Sequence, residues 1–162
     1  LGKSAKSVKI ALMFGASEGD FDRTFREARE ALVRAGLAAV RTSSIYRGPA
    51  VDCVPGTPDF GDMALTGEWP GSEEELLTLC QELERRAGRP AVHSSRESRV
   101  LDIDLILFGD RVRHDPRLTL PHPRAQQREF VLKPLAQIAP ELRFPDSGRT
   151  VAECLQNLSK EN

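Results

Sequence analysis

Apolar and polar positions alternate along this chain in segments whose period changes from strand-like to helical and back. Val8 to Phe14 (VKIALMF) is an apolar, partly β-branched run that stops at GASEGD, a cluster of turn residues, which predicts a buried first strand. Phe21, Phe25, Ala28, Leu32 and Val33 then recur at helical spacing up to a stop signal at Gly36, predicting a first helix over 21–37. Ala39 to Tyr46 reads as extended. The sixteen residues RGPAVDCVPGTPDFGD that follow carry three prolines and three glycines and read as a long functional loop.

Met63 to Trp69 alternates weakly as a strand. Gly71 and Ser72 precede three glutamates that suit a helix N-terminus, so a second helix is expected over about 72–87, with Leu76, Leu77, Leu79, Cys80 and Leu83 as its apolar face. After a polar stretch from Arg89 to Arg99, Val100 to Phe108 (VLDIDLILF) reads as a strand whose only charges are Asp102 and Asp104. A third helix is expected within 121–139, broken or bounded at Pro134 and Pro140, with His122 near its start. The order strand, helix, strand, strand, helix, strand is the split βαββαβ pattern of a ferredoxin-like α+β fold, extended by a C-terminal helix and loops.

Length and composition narrow the picture. With 162 residues, 40% apolar and 29% charged, and a formal charge of −1, the chain is expected to form one soluble domain over about 8–156, with 1–7 as a leader or remnant. No apolar run reaches the roughly 20 residues that span a bilayer, and near-neutral charge argues against nucleic acid as a partner. A cytoplasmic location, a monomer or weak homodimer, and three free thiols at Cys53, Cys80 and Cys154 are the simplest expectations.

Candidate chemistry gathers at the fourth core strand. Strand alternation puts Asp102 and Asp104 on one face, with Leu101, Ile103, Leu105 and Leu107 on the other. Two neighbouring carboxylates repel, and a divalent cation offsets that repulsion; Mg²⁺ commonly takes one or two carboxylates plus phosphate oxygens. D-x-D on a solvated sheet face is the bland alternative. Arg89, Arg96 and Arg99 before the strand, with His122, Arg124 and Arg128 after it, make a polyphosphate partner the sharper one. GASEGD lacks the signature of a P-loop and is a weak phosphate cradle. Phe60, Trp69 and Phe130 are candidates to stack on a planar heterocycle, though core packing is the simpler role for Trp69.

VLDIDLILFGD followed by LTLPHPRAQQREFVLKPLAQIAPEL closely resembles the 6-hydroxymethyl-7,8-dihydropterin pyrophosphokinase family, and SSIYRGPAVD and TPDFGDMAL resemble its earlier segments. The resemblance spans about 8–153. It implies transfer of pyrophosphate from ATP to the pterin hydroxymethyl oxygen, releasing AMP, in folate biosynthesis, with two Mg²⁺ ions bridging Asp102, Asp104 and the phosphates. By the same resemblance Arg99 and Arg128 are phosphate-binding, Arg89 is the catalytic-loop arginine, and Arg96 substitutes for a family arginine that aligns with Ala91. His122, Gln81 and Glu84 lie on the nucleotide side, whereas Gly48, Pro49, Phe60, Asp62 and Phe130 lie on the pterin side.

The chain departs from that pattern in several places. Ala16 and Ser17 alter the turn after the first strand, and residues 95–98 lack the family's tryptophan and Gly-Pro turn. Gly48 replaces a threonine, and Asp62 replaces an asparagine that recognises the pterin amide edge. An ionised aspartate only accepts hydrogen bonds, where asparagine both donates and accepts. Two further readings therefore stand beside the first: a related pyrophosphokinase with an altered acceptor, and a non-catalytic nucleotide-binding homologue.

Overall fold

A computed structural model describes residues 6–17, 20–48, 60–88 and 100–161. The elements run β1 (Val8–Ala16), α1 (Phe21–Arg34), β2 (Ala38–Thr42), β3 (Tyr46–Gly48), β4 (Phe60–Trp69), α2 (Glu73–Arg86) and β5 (Asp102–Phe108). A short hairpin of β6 (Arg113–His114) and β7 (Thr119–Leu120), a 3-10 turn (Ala125–Gln127), α3 (Glu129–Ile138) and α4 (Val151–Glu161) complete the chain. The sheet order is β2-β4-β1-β5 with antiparallel pairings, and β3 continues along β4 beside β2. This is the ferredoxin-like α+β arrangement expected from the sequence.

Both faces of the sheet are covered. Ile10, Leu12, Phe14, Met63, Leu65, Ile103 and Leu105 point to one face and pack with α1 and α2. Ala11, Met13, Ala64, Ile106 and Leu107 point to the other and pack with α3, α4 and Phe144. Double coverage explains why β1 and β4 read as near-continuous apolar runs rather than clean alternations.

Helix termini are set by local chemistry. Asp20 caps α1 by accepting from the Arg23 N–H at 3.1 Å. Ser72 and Glu75 form a reciprocal capping box at α2, with Ser72 N–H donating to Glu75 at 2.8 Å. The turn after α1 contains Gly36 at φ +119, so the helix ends at Arg34 and not at Leu37. Val33, expected on the apolar face, is 47% exposed because it falls one step beyond the stripe of Phe21, Phe25, Ala28 and Leu32.

Three further expectations are corrected. Phe60, Gly61 and Asp62 open β4 rather than closing a loop, and they pair with β3. Leu107 shares the face of Asp102 and Asp104. The register slips between Ala11 and Leu12, which oppose Leu107 and Leu105, leaving Ile106 as an extra residue that reverses the alternation beyond it. His122 precedes a 3-10 turn, and α3 begins only at Glu129; Pro134 lies inside that helix, while Pro140 follows its end.

Cys80 and Cys154 are free, as expected, and both are buried; Cys53 lies outside the described residues. Among the described residues no helix is long and apolar enough to cross a membrane. Phe144 is fully buried where α3 and α4 meet the sheet. Phe144→Ala is expected to cost about 3–5 kcal/mol, seen as a lower denaturation midpoint at unchanged slope in urea unfolding.

Candidate functional site

One end of the α3-covered sheet face departs from the apolar pattern. Gly15 on β1 is opposed by Asp62 on β4 and by Asp102 on β5, and the next residue on that face, Met13, is opposed by Ala64 and Asp104. Two carboxylates therefore flank one glycine, with a third two residues farther along β5. Strands lie about 4.8 Å apart, so Asp62 and Asp102 are separated by roughly 10 Å across β1. A Cβ on Gly15 would stand 3.4 Å from the Asp62 Oδ1, in ordinary van der Waals contact with it.

Asp104 is exposed, and Asp102 and Asp62 are half-buried. Burial first, and the Asp104 charge second, push the Asp62 carboxyl up from 3.8 to about 6. Asp62 thus holds a proton below about pH 6, where it donates as well as accepts. That modifies the expectation of an acceptor-only side chain.

The bulge in β5 places His122. The carbonyl of Ile106, the extra residue, accepts from the His122 backbone N–H at 2.9 Å and draws the segment after β7 against the strand carrying Asp104. Burial holds the imidazole below its ordinary range; the Asp104 charge opposes this, and Arg128 and Arg124 reinforce it. A neutral ring results near pH 7. Its Nδ1 accepts from the Arg124 N–H at 3.4 Å, which leaves Nε2–H as the ring's donor.

Arg128 joins this group to an aromatic cleft. Its guanidinium lies over the Phe130 ring, 5.3 Å from the centroid. Phe130 and Phe60 are 49% and 37% exposed, unusual for large apolar side chains, and both line one cleft of about 170 Å³. Asp62, Gly48, Tyr46 and Lys133 complete the parts of its wall that matter here. Gly48 and Phe60 are paired, and a Cβ on Gly48 would meet the Phe60 ring at 3.1 Å. A side chain there would require the ring to give way by a few tenths of an ångström. A larger cavity, about 510 Å³, lies on the opposite side between α1 and α2 and has none of these groups.

On α2, Gln81 is exposed and Glu84 is half-buried, one turn apart. Glu84 accepts from the Ile103 N–H at 2.7 Å, tying α2 to the residue between the two aspartates. Arg89, Arg96, Arg99 and Pro49 lie outside the described residues. The structure thus gathers Asp62, Asp102, Asp104, His122, Arg128, Phe60, Phe130 and Gly48 at one end of one sheet face.

Sequence reasoning missed Gly15, Tyr46 and Lys133. Lys133 was findable by stepping one turn along α3 from Phe130, where it also pairs with Glu129 at 3.4 Å. Gly15 and Tyr46 gain their place only from strand register.

Asp102 and Asp104 suit a shared divalent cation. Among the described residues no group of three or more His, Cys, Asp or Glu could hold a metal by itself. A cation at this pair would need oxygen atoms from a ligand to fill its shell, which is the way Mg²⁺ is usually bound beside phosphates.

Known proteins resemble this chain in sequence and in fold. The family profile of 7,8-dihydro-6-hydroxymethylpterin-pyrophosphokinase (HPPK) matches residues 11–140. A 2-amino-4-hydroxy-6-hydroxymethyldihydropteridine pyrophosphokinase from Synechocystis is 40% identical over 124 residues, covering 76% of this chain and 62% of that protein. One from Pseudomonas aeruginosa is 46% identical over 82 residues, covering 50% of this chain and 49% of its own length. A Chlamydia caviae folate synthesis bifunctional protein is 31% identical, covering 86% of this chain and 32% of itself. This chain spans less than two thirds of each of these relatives.

In structure, the chain superposes on Plasmodium falciparum HPPK-DHPS with pteroate at a TM-score of 0.71 and 12% identity, over 99% of this chain and 44% of that one. That likeness concerns the fold. With the profile matched across most of its length, the chain belongs to the 7,8-dihydro-6-hydroxymethylpterin-pyrophosphokinase (HPPK) family.

Proposed function

We propose that this protein transfers pyrophosphate from ATP to the hydroxymethyl oxygen of 6-hydroxymethyl-7,8-dihydropterin, giving AMP and the pterin diphosphate in folate synthesis. The observation that carries this reading is the meeting, on one sheet face, of a carboxylate pair with an aromatic cleft that Asp62 helps to line. A planar heterocycle fits between Phe60 and Phe130, and a polyphosphate fits the cations around His122 and Arg128. The names carried by the relatives point the same way.

Little covalent chemistry is asked of the protein; alignment and charge compensation carry the rate. Asp102 and Asp104 would hold Mg²⁺, two ions on the family pattern, and these supply charge neutralisation on the phosphate oxygens. Arg128 and the Nε2–H of neutral His122 add hydrogen bonds to phosphate oxygens. Phe60 and Phe130 orient the heterocycle so that its hydroxymethyl oxygen faces the carboxylate pair. Gln81 and Glu84 belong to the nucleotide side, as do Arg89, Arg96 and Arg99, with Arg89 and Arg99 assigned to catalysis. Pro49 and Gly48 border the pterin. The enzyme works as a monomer or weak homodimer.

A second reading, an altered acceptor, is favoured by Asp62. Its carboxylate prefers a ring edge with adjacent N–H groups over one that presents a carbonyl. A panel of hydroxymethyl heterocycles separates the two: strong preference for the standard dihydropterin removes the second.

The main test is AMP release from Mg-ATP with and without 6-hydroxymethyl-7,8-dihydropterin. Pterin-dependent AMP is expected, and Asp104→Asn is expected to lower kcat by at least about a hundredfold. AMP release that ignores the pterin, or survives this substitution, would sink the proposal.

Asp62→Asn tests the acceptor edge through pH. Wild-type Asp62 is ionised at pH 8 and mostly neutral at pH 5, since its carboxyl titrates at about 6. The substitution is expected to lower the pterin KM at pH 8 and to change it little at pH 5. Stability follows the same sign. The folded carboxyl binds its proton more tightly than the unfolded one, so wild type loses this contribution as pH rises from about 4 through 6. The Tm of Asp62→Asn should therefore rise relative to wild type across that window. A constant difference at all pH values would discount the buried carboxyl.

A further inference from the structure

The edge strand slips register twice, between Ala38 and Arg41 and again between Thr42 and Tyr46, and the second slip borders the cleft. Thr42 opposes Leu65 and Tyr46 opposes Asp62, so four steps along the edge match three along β4 and one residue is extra. Ser43 supplies the local repair. Its backbone N–H donates to the Ala64 carbonyl at 2.9 Å, while the Ala64 N–H donates to the Ser43 Oγ, also at 2.9 Å, in place of a ladder carbonyl.

The extra residue decides what lines the cleft. With it, Tyr46 and Gly48 share the face of Asp62 and Phe60, while Arg47 still borders the cleft but sends its guanidinium to Asp22 at 2.8 Å and over the Phe21 ring. Without it, Tyr46 would oppose Gly61 and every β3 side chain would change faces. Gly48 would no longer lie under the Phe60 ring.

A single side chain from α3 grips this kink. Gln137 Oε1 accepts from the Ser44 N–H at 3.1 Å, the Ser44 hydroxyl at 3.0 Å and the Tyr46 hydroxyl at 3.1 Å. The backbone N–H can only donate, which fixes the gripping atom as the amide oxygen. Gln137 lies on the same side of α3 as Phe130, Lys133 and Pro134, three of the four helix residues of the cleft, at positions i, i+3, i+4 and i+7. One helix face thus supplies one wall and fastens the other.

We infer that Gln137 is a positioning residue for the heterocyclic acceptor, acting through Ser44 and Tyr46 to hold β3 in the register that shapes the cleft. The inference rests on the proposed pterin site and touches no group assigned to ATP. Loss of the clamp lets β3 relax from β4 at the bulge, so acceptor binding weakens while nucleotide binding does not.

Steady-state kinetics with each substrate varied in turn provide the test, using the whole chain. Gln137→Leu, close in size but without an acceptor, is expected to raise the pterin KM about 5- to 10-fold, with the ATP KM within about twofold of wild type. Gln137→Glu, which keeps an accepting oxygen, is expected to restore the pterin KM. Tyr46→Phe removes one donor and leaves both Ser44 bonds, so it is expected to give about a two- to threefold rise and carries the test if Gln137→Leu fails to fold.

An unchanged pterin KM in an active Gln137→Leu protein overturns the inference, as does an equal rise in both KM values or a fall in Tm alone. Failure of the functional reading looks different: wild type itself then makes no pterin-dependent AMP, and the inference falls with it.

Discussion

The site depends on β1 being hydrogen-bonded along both edges. Its partners β4 and β5 bring Asp62 and Asp102 to the two sides of Gly15, and Asp104 beside Met13. Distances across such a ladder are fixed by backbone geometry, not by side-chain choice. Three carboxylates whose mutual repulsion would otherwise drive them apart are thereby held on one face. The cost is visible at Asp62, where burial first and the Asp104 charge second push the carboxyl up to about 6. The two apolar layers above and below β1 stabilise the ladder strongly enough to carry that cost.

Two of the sheet's single-residue register slips turn it into a site. The bulge at Ile106 frees a carbonyl that anchors His122 near Asp104, and it shifts Leu107 onto the α3 side. The kink at Ser43 and Ser44 turns Tyr46 and Gly48 toward Asp62. Each adds one residue to an edge and reverses the faces beyond it, which is the way bulges redirect side chains beside functional clefts. Helix α3 connects the two regions. Its N-terminal end carries Arg128 against Phe130, and its C-terminal end grips the kink through Gln137.

Much of this was legible in the residues themselves. The apolar runs and helical stripes gave the βαββαβ order, and strand alternation put Asp102 and Asp104 on one face because two-residue spacing in a strand admits no other outcome before a bulge. The wording around His122, Arg128 and Phe130 pointed to the family. Alternation failed beyond Ile106, where Leu107 lies opposite to its expected side, and it failed for Phe60 to Asp62, whose proline- and glycine-rich neighbours hid the start of β4. Val33 was misplaced because helical spacing narrows a buried stripe without fixing its edge.

The sequence by itself determined the elements, the burial of their apolar faces and the identity of the chemical groups, since these follow from local periodicity and side-chain chemistry. Tertiary structure decided which groups meet. Asp62 lies 40 residues before Asp102, and Gln137 lies 93 residues after Ser44, yet register and helix docking bring each to its partner face. Register arises from pairing between distant segments, and a bulge shifts it by one residue without a local signal in the sequence. For that reason the carboxylates could be named from the chain alone, while the cleft and the clamp that shapes it required the fold.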